Sequence, residues 1–150
     1  YAGRIEVARS TGDLSQLRST LIDAFIICMA SANAMNLSLG EKISEIPESN
    51  DIDALARELG KTLQSTDLFA ESVRTLVILG GKMAKAIESA DHMERGDPRA
   101  DMESLVVQLT VAVLSILGHQ GGALQTDIQT RLQGVELKSI FLRPNPAMVR

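Results

Sequence analysis

The stretch that decides the fold runs from Asp13 to Met35 and reads DLSQLRSTLIDAFIICMASANAM. Asp13 can cap a helix, because its carboxylate accepts hydrogen bonds from the free backbone N–H groups of a first turn. Apolar residues then recur at steps of three and four, which is the period of an α-helix. They are Leu14, Leu17, Leu21, Ala24, Cys28 and Met35. Other apolar residues widen this stripe, so the sequence predicts a helix that is buried on much of its surface.

Three more segments show the same period, and each is predicted to begin at an aspartate. They start at Asp51, Asp67 and Asp101. Their predicted inward residues are Ile52, Leu55, Leu59 and Leu63; Phe69, Val73, Leu76, Gly80, Met83 and Ile87; and Met102, Leu105, Leu109, Ala112 and Ile116. Shorter helices are predicted over 37–46 and 122–137, with loops at 47–50 and 92–100. No stretch alternates with period two for long enough to require a sheet, so the predicted fold class is an all-α helical bundle.

An internal repeat relates the first long helix to the last one. At an offset of 88 residues Leu21 aligns with Leu109, and at an offset of 89 Lys42 aligns with Arg131. The chain is therefore predicted to be one all-α domain of two related halves. Residues 1–46 form the first half, residues 51–137 hold the linking helices and the second half, and residues 138–150 form an irregular tail. A chance alignment of two amphipathic helices is the alternative to duplication.

Composition narrows the function classes. An apolar fraction of 45% supports a packed core rather than disorder. A net charge of −4 and few aromatic residues (3%, with no Trp) argue against a nucleic-acid partner. No secretory or transit signal opens the chain, and the strongly apolar part of its longest uncharged run ends at Gly118, too early for a membrane span. We expect a cytoplasmic protein with no membrane partner.

Asp23 is the most unusual residue of the first long helix. Its neighbours on both sides are apolar, and burying a carboxylate among them is unfavourable unless it is paired or binds a metal. One interpretation is a functional carboxylate. The other places Asp23 on a narrow wet stripe, near Ser19, Thr20 and Arg9.

The segment 23–43, DAFIICMASANAMNLSLGEKI, resembles the MazG-like nucleoside triphosphate pyrophosphohydrolases. In that family a metal-binding Asp is followed by an apolar run, an Asn-containing turn and a helix that ends in Lys. By this resemblance Asp23 would bind Mg²⁺, and Asn36 and Lys42 would contact the substrate. The resemblance implies hydrolysis of a (d)NTP to a (d)NMP and pyrophosphate with Mg²⁺, by a homo-oligomer, either a dimer or a tetramer.

The chain also departs from this family pattern. Thr20 stands where the family has its motif Glu, and Val111 stands where the second half would carry the Asp, so the second half resembles a degenerate copy. The same alignment places the family's acidic first helix before Tyr1. One Asp cannot hold the metal cluster that this chemistry needs. The alternative is therefore a catalytically inactive helical-bundle module of the same ancestry, working through dimerisation or interaction, and a third class is an unrelated helical adaptor.

Cysteine and glycine positions carry structural expectations. Cys28 lies on the apolar stripe and is expected to be a small buried hydrophobe. Gly80 and Gly81 interrupt a predicted helix, and they lack the preceding strand and following hydroxyl residue of a phosphate loop, so close helix packing is expected. Gly118 is expected to belong, with the glycines at 121–122, to a helix end and turn.

Overall fold

The computed structural model describes residues 1–43, 51–92 and 96–138, and these residues form seven helices and no strand. The helices are α1 (Ala2–Thr11), α2 (Leu14–Ala34), α3 (Leu39–Ile43), α4 (Ile52–Lys61), α5 (Leu68–Asp91), α6 (Pro98–Gln120) and α7 (Leu124–Lys138). The all-α fold class is confirmed. The predicted helix end at 44–46, the loop at 47–50 and the tail from 139 onward lie outside the described residues.

Aspartate caps set the starts of the long helices. Asp13 accepts a hydrogen bond from the backbone N–H of Gln16 at 2.9 Å, and Asp51 and Asp67 cap α4 and α5 in the same way, as predicted. The predicted start at Asp101 is wrong. The helix begins at Pro98 and is capped by Asp97, because a proline is pre-organised for the first helical position.

Helix α1 was not among the predicted elements. It ends at Gly12, whose positive φ of 67° is a left-handed conformation that favours glycine. Only two of its side chains, Ile5 and Ala8, are buried, so its sequence carries little helical periodicity. Arg9 in its last turn donates to Asp67 at 2.9 Å and ties α1 to the start of α5.

The main core forms around α2 and α6, with the other helices packed against them. Its buried members are Ile5, Leu17, Leu21, Ile22, Ala24, Phe25, Ala56, Val113, Leu114, Ile116, Leu117 and Leu124. Leu21 is fully buried, whereas Leu109, its partner in the predicted repeat, is half-buried at the edge of the core. Both halves contain a long helix, a turn and a shorter helix, but the aligned residues differ in burial.

Helices α4 and α6 approach each other at two glycines. A Cβ atom on Gly118 would overlap the backbone carbonyl of Ala56, and a Cβ on Gly60 would lie 2.5 Å from the backbone nitrogen of His119. Gly118 is therefore a packing residue in the last turn of α6, and its carbonyl also accepts the hydrogen bond from the N–H of Gly121 at 3.1 Å, as expected of a residue at the helix end. Gly121 is the residue that ends the helix.

Gly80 and Gly81 behave in the opposite way. Both are exposed, and no heavy atom outside their own helix lies within 4 Å of a Cβ built on either one, so the predicted close packing is wrong. Ile87, predicted to point inward, is 59% exposed. The buried stripe of this part of α5 passes through Ala86 instead, and adjacent helical positions face directions about 100° apart.

Helices α2 and α6 are long and apolar enough to cross a membrane by length and composition alone. Within the bundle, 50% of the apolar window of α2 and 44% of that of α6 are buried. Length and composition therefore fit either a membrane span or the core helix of a bundle.

Candidate functional site on helix α2

Asp23 lies in the middle of α2 and is 9% exposed. Arg131 of α7 donates to both of its carboxylate oxygens, at 2.5 Å to Oδ1 and 3.0 Å to Oδ2. Arg4 of α1 donates to Oδ2 at 2.9 Å. Two guanidinium groups thus satisfy one nearly buried carboxylate, and the three side chains join α1, α2 and α7.

The electrostatics of Asp23 follow from this pairing. Burial raises the pKa of Asp23, but the hydrogen bonds and positive charges of Arg131 and Arg4 lower it more, so that its pKa lies below the usual value. The same contact raises the pKa of Arg131. Asp23 is therefore a carboxylate anion at neutral pH and is held as part of an ion-pair cluster.

The wet-stripe interpretation of Asp23 is only partly right. Thr20 is buried and donates to the backbone carbonyl of Gln16 at 2.7 Å, and Arg9 pairs with Asp67 rather than with Asp23. The partners that the sequence did not reveal are Arg4 and Arg131. The one sequence feature that singled out Arg131 is its alignment with Lys42 in the internal repeat.

The surroundings of Asp23 do not fit a Mg²⁺ site. Mg²⁺ needs near-octahedral oxygen ligands, and both oxygens of this carboxylate already accept hydrogen bonds from arginine. In the part of the chain that the structure describes, no three His, Cys, Asp or Glu side chains come together as metal ligands. Two cations beside the carboxylate also oppose the approach of a third.

Asn36 and Lys42 lie away from Asp23. Asn36 follows the end of α2 with a positive φ of 54°, and Leu37 N–H donates back to the carbonyl of Ala32 at 2.9 Å. Asn is one of the few residues that adopts this conformation readily, so a helix-end turn accounts for it. Lys42 lines a separate pocket of about 390 Å³ beside the first turns of α6. Thirteen residues along α2 correspond to roughly 20 Å, so the structure does not bring the three predicted site residues together.

The second half of α2 presents a different kind of surface. No charged residue occurs between Asp23 and Glu41. The name α2 face is used here for six of the exposed or half-buried residues on this stretch: Ile26, Ile27, Met29, Ala30, Asn33 and Ala34. Ile27 is 51% exposed and Met29 is 40% exposed. Uncharged surface of this kind on a helix is typical of a contact surface.

A pocket lies on each side of the α2 face. The first, of about 460 Å³, is formed with α4 and α7 and is lined by apolar residues that include Ile52, Ile128 and Leu132. The second, of about 320 Å³, is formed with α5 and α6 and is lined by Cys28 and three methionines. Those methionines are Met35, Met83 and Met102. Methionine side chains adapt their shape to a partner, which suits a binding surface.

Cys28 is 3% exposed at the inner wall of the second pocket. Burial raises the pKa of its thiol, because a thiolate is poorly solvated there. A neutral buried thiol is a poor nucleophile, and the prediction of a small buried hydrophobe is confirmed.

No protein-family model, curated protein or solved structure matches the chain, so the description of this site depends on its geometry alone.

Proposed function

We propose that this protein is a helical-bundle interaction module that works by association through the α2 face. One observation carries the proposal. The single carboxylate of α2, Asp23, is buried and paired with two arginines, while the second half of the same helix carries no charged residue and borders two apolar pockets. A surface without charge has a small desolvation penalty when a partner covers it, and two apolar pockets provide room for a partner's side chains. We keep the cytoplasm as the expected location, from the sequence alone.

Pyrophosphohydrolysis of (d)NTP with Mg²⁺ remains the competing proposal. Its support is the family resemblance of 23–43 and the position of Asp23 in that pattern. Two observations argue against it. Both oxygens of Asp23 are occupied by Arg4 and Arg131, and Lys42 lines a pocket separate from Asp23. The two proposals differ in what Mg²⁺ does to the folded protein.

Asp23→Asn separates them. This substitution keeps the shape of the side chain and removes its charge. The melting temperatures of the wild type and of the variant are measured with and without Mg²⁺. An interaction module predicts no Mg²⁺-dependent stabilisation of either protein, and no (d)NTP hydrolysis. A metal enzyme predicts a rise of the wild-type melting temperature with Mg²⁺ concentration that the variant lacks.

The pH dependence of stability gives an independent measurement on the same pair. The pKa of Asp23 is lower in the folded state than in the unfolded state, where an Asp has a pKa of about 3.9. Its ion pairs therefore stabilise the fold fully at pH values above that unfolded pKa. That stabilisation is lost as pH falls through the folded pKa. Asp23→Asn should therefore be less stable than the wild type at pH 7, and the difference should shrink below pH 4. A variant at least as stable as the wild type at pH 7 would contradict the ion-pair role.

Association is tested by sedimentation velocity over a concentration range from micromolar to hundreds of micromolar. The module predicts a concentration-dependent rise in sedimentation coefficient. Two results together would favour the enzyme. The wild-type protein would stay monomeric over the whole concentration range, and Mg²⁺ would stabilise the wild type but not Asp23→Asn.

A further inference from the structure

The methionine pocket, defined here as the pocket lined by Met35, Met83 and Met102, lies beside the α2 face. We propose that it binds a small amphipathic carboxylate, with the apolar chain in the pocket and the head group at Arg4. The site goes beyond the proposed function, because it takes a small molecule whether or not a protein partner covers the α2 face. Three features of the molecule lead to it: the wall of the pocket, its size, and the charge at its two ends.

The wall of the methionine pocket is almost entirely apolar. Among the described residues that line it, only Tyr1, Cys28 and Ser31 have a polar side-chain group, and none is charged. A wall of this kind disfavours a charged or strongly polar ligand body, because such a body would lose its hydration without gaining hydrogen bonds. Mostly apolar concave surfaces with a few polar groups are typical of small-molecule sites. The part of the ligand inside the pocket is therefore a hydrocarbon.

The volume of the pocket limits the length of that hydrocarbon. The volume is about 320 Å³, and a cavity of about 150 Å³ accommodates benzene. By proportion the pocket accommodates about a dozen non-hydrogen atoms, which is the size of decanoate. The lining residues of α2 extend from Ala24 to Met35, roughly 16 Å along the helix axis, so an extended chain fits better than a compact ring.

Positive charge is in excess at the Ala24 end of the pocket. Arg4 contacts Asp23, the residue before Ala24, and its guanidinium carbon lies 5.9 Å from the centre of the Tyr1 ring, which lines the pocket. Arg4 and Arg131 share the one carboxylate of Asp23, so two positive charges and one negative charge leave a net charge of +1. This local charge favours an anionic head group beside an apolar chain.

Arg4 also has donors that are free to bind such a head group. Its Nη1 donates to Asp23, whereas its Nε and Nη2 donate to no acceptor within the described part of the chain. The Arg4 side chain is 47% exposed, so a ligand can reach these nitrogens. A guanidinium group matches the geometry of a carboxylate, because its N–H groups can donate to both carboxylate oxygens.

The charges at the opposite end of the pocket are balanced. There Arg99 donates to the backbone carbonyl of Met35 at 2.9 Å and to the carboxylate of Glu103 at 3.0 Å. Arg99 and Glu103 thus form a neutral pair. Because the excess positive charge lies at the Arg4 end, the head group binds there and the chain extends toward Met35.

Isothermal titration calorimetry with sodium decanoate tests the site on the wild-type protein. We expect a dissociation constant on the order of 0.1 mM, which is within the usual range for a ligand of about a dozen atoms. Decanol has the same chain without the charge and should bind about fivefold more weakly. Decylamine should bind more weakly still, because its ammonium group would face Arg4.

Arg4→Gln tests the role of the charge. The variant should bind decanoate about fivefold more weakly than the wild type and should bind decanol as the wild type does, because only the carboxylate uses the guanidinium group. A purely structural effect of the substitution would weaken both ligands alike. Arg57→Gln is the matched control, since it removes the same charge from a 65% exposed arginine of α4, which does not line the pocket.

Ser31→Phe tests the location. Ser31 is a half-buried lining residue, and a phenyl ring there fills the pocket, so decanoate binding should be lost. Ser15→Phe is the control, being the same substitution at an exposed position of the same helix outside the pocket. Cys28, the one cysteine of the chain, provides a second measurement. At a decanoate concentration about ten times the dissociation constant, its reaction with dithiodipyridine should slow about tenfold.

Four results would overturn this site. They are no binding of decanoate and no protection of Cys28 at millimolar concentration, equal binding of decanoate and decylamine, unchanged decanoate binding in Ser31→Phe, and binding to phosphatidylglycerol vesicles without binding of free decanoate. Circular dichroism verifies that each variant keeps its helical content. Failure of the proposed function is seen separately, because a protein that stays monomeric in sedimentation velocity and binds decanoate as described loses the association and keeps this site.

Discussion

Replacing Gly118 by Ala perturbs the point where the backbones of α4 and α6 touch. A Cβ atom there would overlap the carbonyl group of Ala56 and lie 3.0 Å from the backbone nitrogen of Arg57. Both obstacles belong to the backbone of α4, so no side-chain rotation relieves them. The helices must separate, and α4 lies against the central core through Ala56, which is 2% exposed.

The magnitude follows from two opposing effects. Overpacking a core typically destabilises by about 1–3 kcal/mol, and an overlap with backbone belongs at or above the upper end of that range. The intrinsic preference of a helix for Ala over Gly opposes it by about 1 kcal/mol. We therefore expect Gly118→Ala to lower the free energy of unfolding by about 2 kcal/mol. For a chain of this length that corresponds to a fall in melting temperature of about 4–8 °C.

Gly80→Ala is the matched control, because it is the same substitution inside a helix with free space around it. No heavy atom outside its helix lies within 4 Å of the new Cβ, so only the helix preference remains. We expect stabilisation by about 0.5–1 kcal/mol. Urea unfolding followed by circular dichroism at 222 nm measures both. A Gly118→Ala midpoint equal to or above that of the wild type would refute the described α4–α6 contact.

Two further predictions concern residues that the sequence had singled out. Leu21→Ala should lower the free energy of unfolding by about 2–5 kcal/mol through lost burial and a residual cavity, and Leu109→Ala should lower it clearly less because Leu109 is half-buried. Equal urea midpoints for the two variants would contradict this difference in burial. Asn36→Gly should be as stable as the wild type or more so, because glycine adopts the positive φ of this position freely, whereas Asn36→Ala should be less stable by about 1 kcal/mol in the same assay. A binding role for the Asn36 amide, without a backbone role, would instead leave the stability of both variants unchanged.

The long helices could be predicted from the sequence because their causes are local. The cap at Asp13 and the three-and-four spacing that leads to Leu21 involve residues within a few turns of one another. The same reasoning placed the starts of α4 and α5 correctly. It failed at α6, where Asp97 and Asp101 are both plausible caps and the proline at 98 decides between them.

The site could not be predicted in the same way, because its partners are distant along the chain. Asp23 was recognisable as unusual from its apolar neighbours alone. Whether it would hold a metal or an arginine depended on Arg4 and Arg131, which lie 19 and 108 residues away and reach it only when α1 and α7 pack against α2. Side-chain spacing within one helix carries no information about which charges a neighbouring helix brings.

The sequence by itself determined helices α2, α4 and α5 with their aspartate caps, and the apolar stripe of α2, since backbone hydrogen bonding and side-chain periodicity act over a few residues. Only the tertiary structure decided which glycines are packed and which are exposed. Gly118 and Gly80 both stand inside helices, and their different surroundings come from whether a second backbone passes within contact distance. It also decided that part of the apolar stripe of α2 stays at the surface, because burial depends on how many helices surround a position and not on that position's own hydrophobicity.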